Sequence, residues 1–335
     1  LNPNYRIKTN GKNITDALRS RLLKLSITDG SKLKCDKLAI ELVDDPPIEW
    51  PAKGQVFEVA IGYENVLVDV GTYATKHVSA SGYPTVLKIE ASSMDQNASL
   101  KSQREQSWEN TTLGDIVGDI ARRNGLKPAV IGDLQTIPVP YELQADSDLG
   151  FLTRLGRRYD MVVKVSQGFL MVTPADKSQK ASGGELPMIT VSNVIKWEYS
   201  GDQSRKYTGV RAYWYDNDSA KKVYVLVGRE GVVMELEYNK LNAEGARRAA
   251  EAKFREVSRQ GKSVKFTVPG NYELAAERKV VLEGIRPGVD GEWVIKQVEH
   301  VIDGTGFVSN VECSVDGYKE SQPEADPETE SDDIE

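Results

Sequence analysis

The chain has 335 residues, 39% of them hydrophobic and 28% charged, the balance of a globular protein of two or three domains. No run approaches the length of apolar sequence that a membrane-spanning helix needs, so no membrane anchoring is expected. The formal net charge of −7 lies in residues 319–335, which hold eight acids and one lysine; the neutral remainder has no general attraction for nucleic acid or anionic lipid.

Leu1 to Thr9 lacks a charged-then-apolar pattern, so no secretory signal is expected. Residues 1–95 read as a first β domain. Leu38, Ile40 and Leu42 alternate until Asp44-Asp45-Pro46-Pro47 stops the run. Phe57, Val59, Ile61 and Tyr63 alternate next, Glu64-Asn65 turns the chain into Val66–Val70, and Leu87, Ile89 and Ala91 follow. Short strands with turn signals between them point to a small antiparallel barrel or sandwich.

Residues 96–187 read as an α+β insertion ending in a linker. Thr112 with Asp115 opens a helix that carries Leu113, Ile116, Val117 and Ile120 on one face, and Asn124-Gly125 ends it. A second helix is expected over Ser147–Tyr159, then a hairpin of Met161–Val165 and Phe169–Val172 about Gln167-Gly168. Residues 188–318 read as a second β domain. Its expected strands are Val194–Tyr199, Gly209–Tyr215, Lys222–Val227, Val264–Val268, Val280–Leu282 and Trp293–Val301. A long helix over 242–260, capped by Asn242, places Ala246, Ala250, Phe254 and Val257 on one stripe. The acidic tail, 319–335, has the composition of a disordered arm.

One weak repeat links the two β domains. Gly71-Thr72-Tyr73-Ala74-Thr75-Lys76-His77-Val78 matches Gly291-Glu292-Trp293-Val294-Ile295-Lys296-Gln297-Val298 at Gly, aromatic, Lys and Val, with an offset of 220. Shared strand chemistry alone produces such a match; the sharper reading is two related barrels, with Tyr73 and Trp293 at equivalent places.

The residues point away from catalysis. The two histidines, His77 and His300, fall inside expected strands, and no metal-ligand spacing, nucleophile elbow or phosphate loop is present. No metal or cofactor is expected. Glu41, Asp44 and Asp45 form the best carboxylate cluster, but a turn before two prolines is expected to be wet. Cys35 and Cys313 read as buried thiols, and Trp108 and Trp214 as core or interface aromatics.

Further motifs resemble a known family. Tyr5-Arg6-Ile7, Asn10-Gly11, Ile14-Thr15, Arg21-Leu22-Leu23 and Thr28-Asp29 resemble the opening of the late control protein D family of phage tails. The likeness continues through Asp36-x-Leu38-x-Ile40-Glu41-Leu42-x-Asp44 and Pro51-x-Lys53-Gly54. Its most specific parts are Arg104-Glu105-x-Ser107-Trp108 with Thr112-Leu113-Gly114-Asp115-Ile116, and Ser147-Asp148-x-x-Phe151-Leu152-x-Arg154-Leu155. Gly291-Glu292-Trp293-x-Ile295-x-x-Val298-x-His300 resembles its C-terminal signature. Val139-Pro140-Tyr141-Glu142 departs from the family's His-Ile-Asp-Gln-like run.

The resemblance implies a structural baseplate hub of a contractile tail, in a phage or an R-type bacteriocin. It implies a mainly β chain with two tube-type antiparallel barrels, and a homotrimer whose six barrels form a pseudo-sixfold ring. The implied partners are a central spike, a tail tube or tube initiator, and the tape measure and other baseplate proteins, with assembly in the host bacterial cytoplasm. The alternative function is a tail-associated peptidoglycan-degrading or wall-binding protein. A transcriptional regulator is disfavoured by the neutral body and by the lack of a DNA-binding motif.

Overall fold

The computed structural model describes residues 2–31, 36–93, 99–166, 168–175, 187–201, 207–216, 220–236, 242–259 and 262–315. The first half contains β1 (Pro3–Thr9), β2 (Lys12–Asn13), the short helix α1 (Thr15–Arg19), β3 (Leu22–Gly30), β4 (Lys37–Val43), β5 (Val56–Tyr63), β6 (Val66–Ser81) and β7 (Val86–Ser93). Alternation puts Ile7, Leu25, Ile27, Leu38, Ile40, Leu42, Val59, Ile61, Tyr73 and Leu87 into one core.

The insertion follows, with β8 (Gln106–Thr112), α2 (Leu113–Arg123), β9 (Lys127–Val130), β10 (Pro138–Gln144), α3 (Asp148–Arg158), β11 (Met161–Ser166) and β12 (Phe169–Pro174). Thr112 caps α2 by accepting from the Asp115 amide at 3.1 Å, and Ser147 caps α3 through the Gly150 amide at 3.1 Å. Both helices bury their apolar stripes in a separate core with Trp108, Leu170 and Val172. Trp108 stacks on Phe151 with ring centroids 6.2 Å apart.

The second half contains β13 (Ile189–Val191), β14 (Lys196–Gly201), β15 (Gly209–Asp216), β16 (Lys221–Gly228), β17 (Val233–Glu235), α4 (Ala243–Arg259), β18 (Lys262–Pro269), β19 (Lys279–Leu282), β20 (Gly291–Asp303) and β21 (Gly306–Val315). Here the sequence expectation needs correction. Residues 209–215 and 222–227 do not join the second half's main sheet. They pair with each other and with β17 in a three-stranded sheet of their own, covered by α4. The stripe expected on the long helix is the reason. Ala246 and Ala250 are fully buried against Val210 and Ala212, so the helix and its sheet close a private core. Asn242 caps this helix through the Gly245 amide at 2.8 Å. Gly228, at φ +95°, is needed there, because a Cβ would lie 2.5 Å from the Thr208 carbonyl oxygen and 2.8 Å from the Phe254 ring.

The remaining strands run as one path, β14-β18-β21-β20-β3-β4-β7-β6-β5-β1-β2, with β19 on β20 and β13 on β19. Each half therefore repeats one neighbour order, β3-β4-β7-β6-β5-β1 against β14-β18-β21-β20-β19-β13. The likeness extends to detail. β6 has a register shift between Thr75 and His77 against β7, and β20 has one between Ile295 and Gln297 against β21. The last strand departs from it: β1 lies antiparallel to β5, whereas β13 lies parallel to β19.

The expectation of two barrels is corrected in one respect. Among the described residues no pairing closes either half into a barrel; the path stays open at β14 and β2. In the first half the second edge of β3 is taken by β20 of the other half; in the second half the outer edge of β14 has no strand partner among the described residues.

Candidate functional site: the junction of the two halves

The two halves join where Lys24–Gly30 of β3 pairs antiparallel with Gln297–Asp303 of β20. A hydrogen bond from the Ser31 amide to the Lys296 carbonyl, 2.9 Å, extends the ladder. Side chains cross this seam as well. Ile302 and Phe307 of the second half complete the core of the first. The Phe307 ring lies 5.4 Å from the Tyr63 ring, and the Tyr63 hydroxyl donates to the Gly270 carbonyl at 2.9 Å. Gly270 touches the face of Phe307 so closely that a Cβ there would come within 2.1 Å of Cγ.

Asp29 ties the insertion to the same junction. Its Oδ1 pairs with the Lys164 ammonium at 2.9 Å, and its Oδ2 accepts the Ala276 amide at 2.8 Å. One carboxylate thus bridges the first half, the insertion and the second half. Burial works against the charge on Lys164, but Asp29 and Asp36 outweigh it and raise its pKa. Burial, then repulsion from Asp29, pushes the Asp36 carboxyl up to about 7. The buried Tyr73 phenol is raised first by burial and then by these carboxylates. Arg255 of α4 reaches Asp160 at 2.8 Å, docking the helix and its sheet on the insertion.

His300 sits inside the seam and is 5% exposed. Its Nδ1 lies 2.9 Å from the Ser309 hydroxyl and its Nε2 3.2 Å from the Leu274 carbonyl oxygen. Burial lowers its pKa to about 4, so the ring is neutral at pH 7 and works as a core hydrogen-bonding group. His77, on β6, is exposed and far along another strand, so the structure does not bring the two histidines together.

In the carboxylate cluster the turn at Asp45-Pro46-Pro47 is exposed as the sequence suggests, and Asp44 is the exception. Asp44 is 6% exposed and accepts the Ile48 amide at 2.8 Å, holding the chain through the prolines. Asp45 is exposed and Glu41 half-buried on β4. Cys313 is a buried free thiol whose pKa burial raises; Cys35 lies outside the described residues, as do residues 176–186 of the expected linker and the acidic tail. Trp108 is core, and Trp214 packs against the α4 core. Glu142, in the stretch that departs from the family pattern, is buried and paired with Arg154 and Arg158. Among the described residues no group of three or more His, Cys, Asp or Glu is placed to hold a metal ion, and no helix is long and apolar enough to cross a membrane.

Sequence reasoning missed the seam itself. β1 and β3 carry the motifs that resemble the family opening, yet no expected strand covered them. The alternation of Leu23, Leu25 and Ile27 was the available signal.

Comparisons with known proteins agree with this architecture. A model of the phage tail baseplate hub family (GPD) matches residues 80–305. The chain is 30% identical to the probable baseplate hub proteins of Escherichia phage 186 and Escherichia phage P2. The alignments cover 94% of this chain in both cases, and 93% and 94% of those proteins. Among solved structures, the 43 kDa tail protein of prophage MuSo2 from Shewanella oneidensis shares the fold, with a TM-score of 0.70 at 18% identity over 93% of this chain and 98% of that one. These matches over most of its length place the chain in the phage tail baseplate hub family: it is a baseplate hub protein of a virion tail.

Proposed function

We propose that this hub is a symmetry adaptor, joining a sixfold tail tube to a threefold central spike. Three chains form a ring, and each contributes two related β units within residues 1–95 and 188–318. The ring is then threefold in sequence and nearly sixfold in shape. Residues 96–187 and the sheet with α4 decorate it. The observation that carries this reading is the strand order repeated between the two halves. Such a role needs rigidity, shape and interface area, with obligate interfaces of more than about 2,000 Å² each. It needs no catalytic residue and no cofactor.

Imaging the intact particle at side-chain resolution tests the proposal. Three hub copies, with both halves of each in one ring between tube and spike, are expected. Six copies contributing one half each would overturn it. A parallel assay of the purified chain on peptidoglycan tests the reading without catalysis. Wall cleavage that is lost in Glu41→Ala or Asp44→Ala, with the fold retained, would replace the structural role by an enzymatic one.

A further inference from the structure

The internal junction also describes a second junction that the single chain cannot make. In the second half, β20 uses one edge twice. Its Gly291–Val294 segment pairs with β19, and its Gln297–Asp303 segment pairs with β3. In the first half, β6 is built the same way. Its Val66–Ala74 segment pairs with β5, and the backbone of Thr75 bonds to Gly54 and Gln55 as that of Ile295 bonds to Glu277 and Arg278. Beyond that point, the edge of His77–Ser81 opposite β7 has no strand partner among the described residues.

The missing partner is identified by register. Val78 of β6 faces Ile89, which faces Ile40, and Leu25 of β3 faces Ile40. In the second half Val298 faces Val311, which faces Phe266, and Trp197 of β14 faces Phe266. Trp197 and Tyr199 are therefore the counterparts of Leu25 and Ile27. Leu25 and Ile27 are 1% and 3% exposed, in a core that Ile302 and Phe307 of the second half complete. Trp197 and Tyr199 are 40% and 36% exposed, and Tyr199 already leans edge-on against the core residue Trp293 at 6.3 Å. The whole of β14 is exposed, and its edge away from β18 is unpaired among the described residues. An open edge with bare aromatics over a core invites another strand.

We propose that β14 of one protomer pairs antiparallel with residues 77–82 of a second copy of this chain, reproducing the β3–β20 seam between subunits. Transferring the internal register puts Val78 opposite Gly201, Ser79 opposite Ser200, Ala80 opposite Tyr199 and Gly82 opposite Trp197. The β6–β7 turn takes the place of the β20–β21 turn. Tyr83, fully exposed at that turn, then lies against the open core of the neighbouring copy. Three such seams and three internal ones close a ring of six halves. The inference rests on the ring proposed above and specifies its interface.

The test uses particles assembled with a hub carrying Ser79→Cys and Ser200→Cys. Directly opposed residues on paired strands lie within disulfide reach. After mild oxidation, covalently linked dimers and trimers of the hub are expected on a non-reducing gel, with none from either single variant. Three unlinked copies per particle would overturn this seam and leave the ring standing. A hub present as six copies, or absent from particles of the unaltered protein, would overturn both. If the double variant fails to assemble, hydrogen exchange of the unaltered chain decides. Slow exchange at Val78–Ser81 in particles, and fast exchange in the isolated monomer, supports the seam; fast exchange in both refutes it.

Discussion

Gly270 and Phe307 offer a direct test of how the two halves are locked. The three atoms nearest an added Cβ at Gly270 all belong to the Phe307 ring, at 2.1, 2.2 and 2.5 Å. Gly270→Ala therefore fails by collision with one side chain, and that overpacking is expected to cost about 1–3 kcal/mol. Phe307→Ala removes a ring that is 5% exposed and leaves Tyr63 and Gly270 facing a void, at about 3–5 kcal/mol. The double variant removes the collision and lets the new methyl enter the space the ring left. Its loss should fall short of the sum of the single losses by at least about 1 kcal/mol, within the range measured for touching residues. Equilibrium urea unfolding of the four proteins, followed by tryptophan fluorescence, measures the cycle. Additivity to within about 0.5 kcal/mol would show that Gly270 is required for another reason and that the seam is not packed as described.

Three further outcomes are expected. His300 has a folded pKa, about 4, below its ordinary 6.5; the stability it contributes is present above 6.5 and is lost as pH falls toward 4. This amounts to about 3 kcal/mol. The stability difference between wild type and His300→Gln should shrink in the wild type's disfavour over that window, and a flat difference would refute the buried neutral ring. Asp36 is the opposite case. Its carboxyl is raised to about 7, so its contribution is complete below 3.8 and is lost as pH rises through 7. Asp36→Asn should thus gain melting temperature relative to wild type between about pH 5 and pH 8, as read by calorimetry. Asp148 is fully buried and accepts from Arg123, Gln144 and Asn124; burial alone would raise its pKa, but these bonds outweigh it and lower it. Asp148→Ala leaves the Arg123 charge without its partner and should cost about 3 kcal/mol in urea unfolding.

Much local structure was legible where a short-range rule governs it, although β1 and β3 were not. The caps at Thr112 and Asn242, the stripe of Ala246, Ala250 and Phe254, and the alternation of Leu38, Ile40 and Leu42 all depend on neighbours within a few residues. The family motifs pointed to a hub before any contact was visible. Sheet membership was not legible in this way. Gly209–Tyr215 and Val264–Val268 have the same strand chemistry, and nothing local says that one joins a private sheet under α4 while the other carries the main path. Asp44 looked like a wet turn residue because a sequence does not show that the Ile48 amide returns to it. The sequence by itself determined that this is a mainly β chain with a weak repeat and little material for catalysis. Only the tertiary structure decided that β3 joins β20, that Phe307 fills the other half's core, and that Trp197 and Tyr199 are left bare on an edge. Those are pairings over hundreds of residues, chosen by which edges and faces meet once the chain has folded.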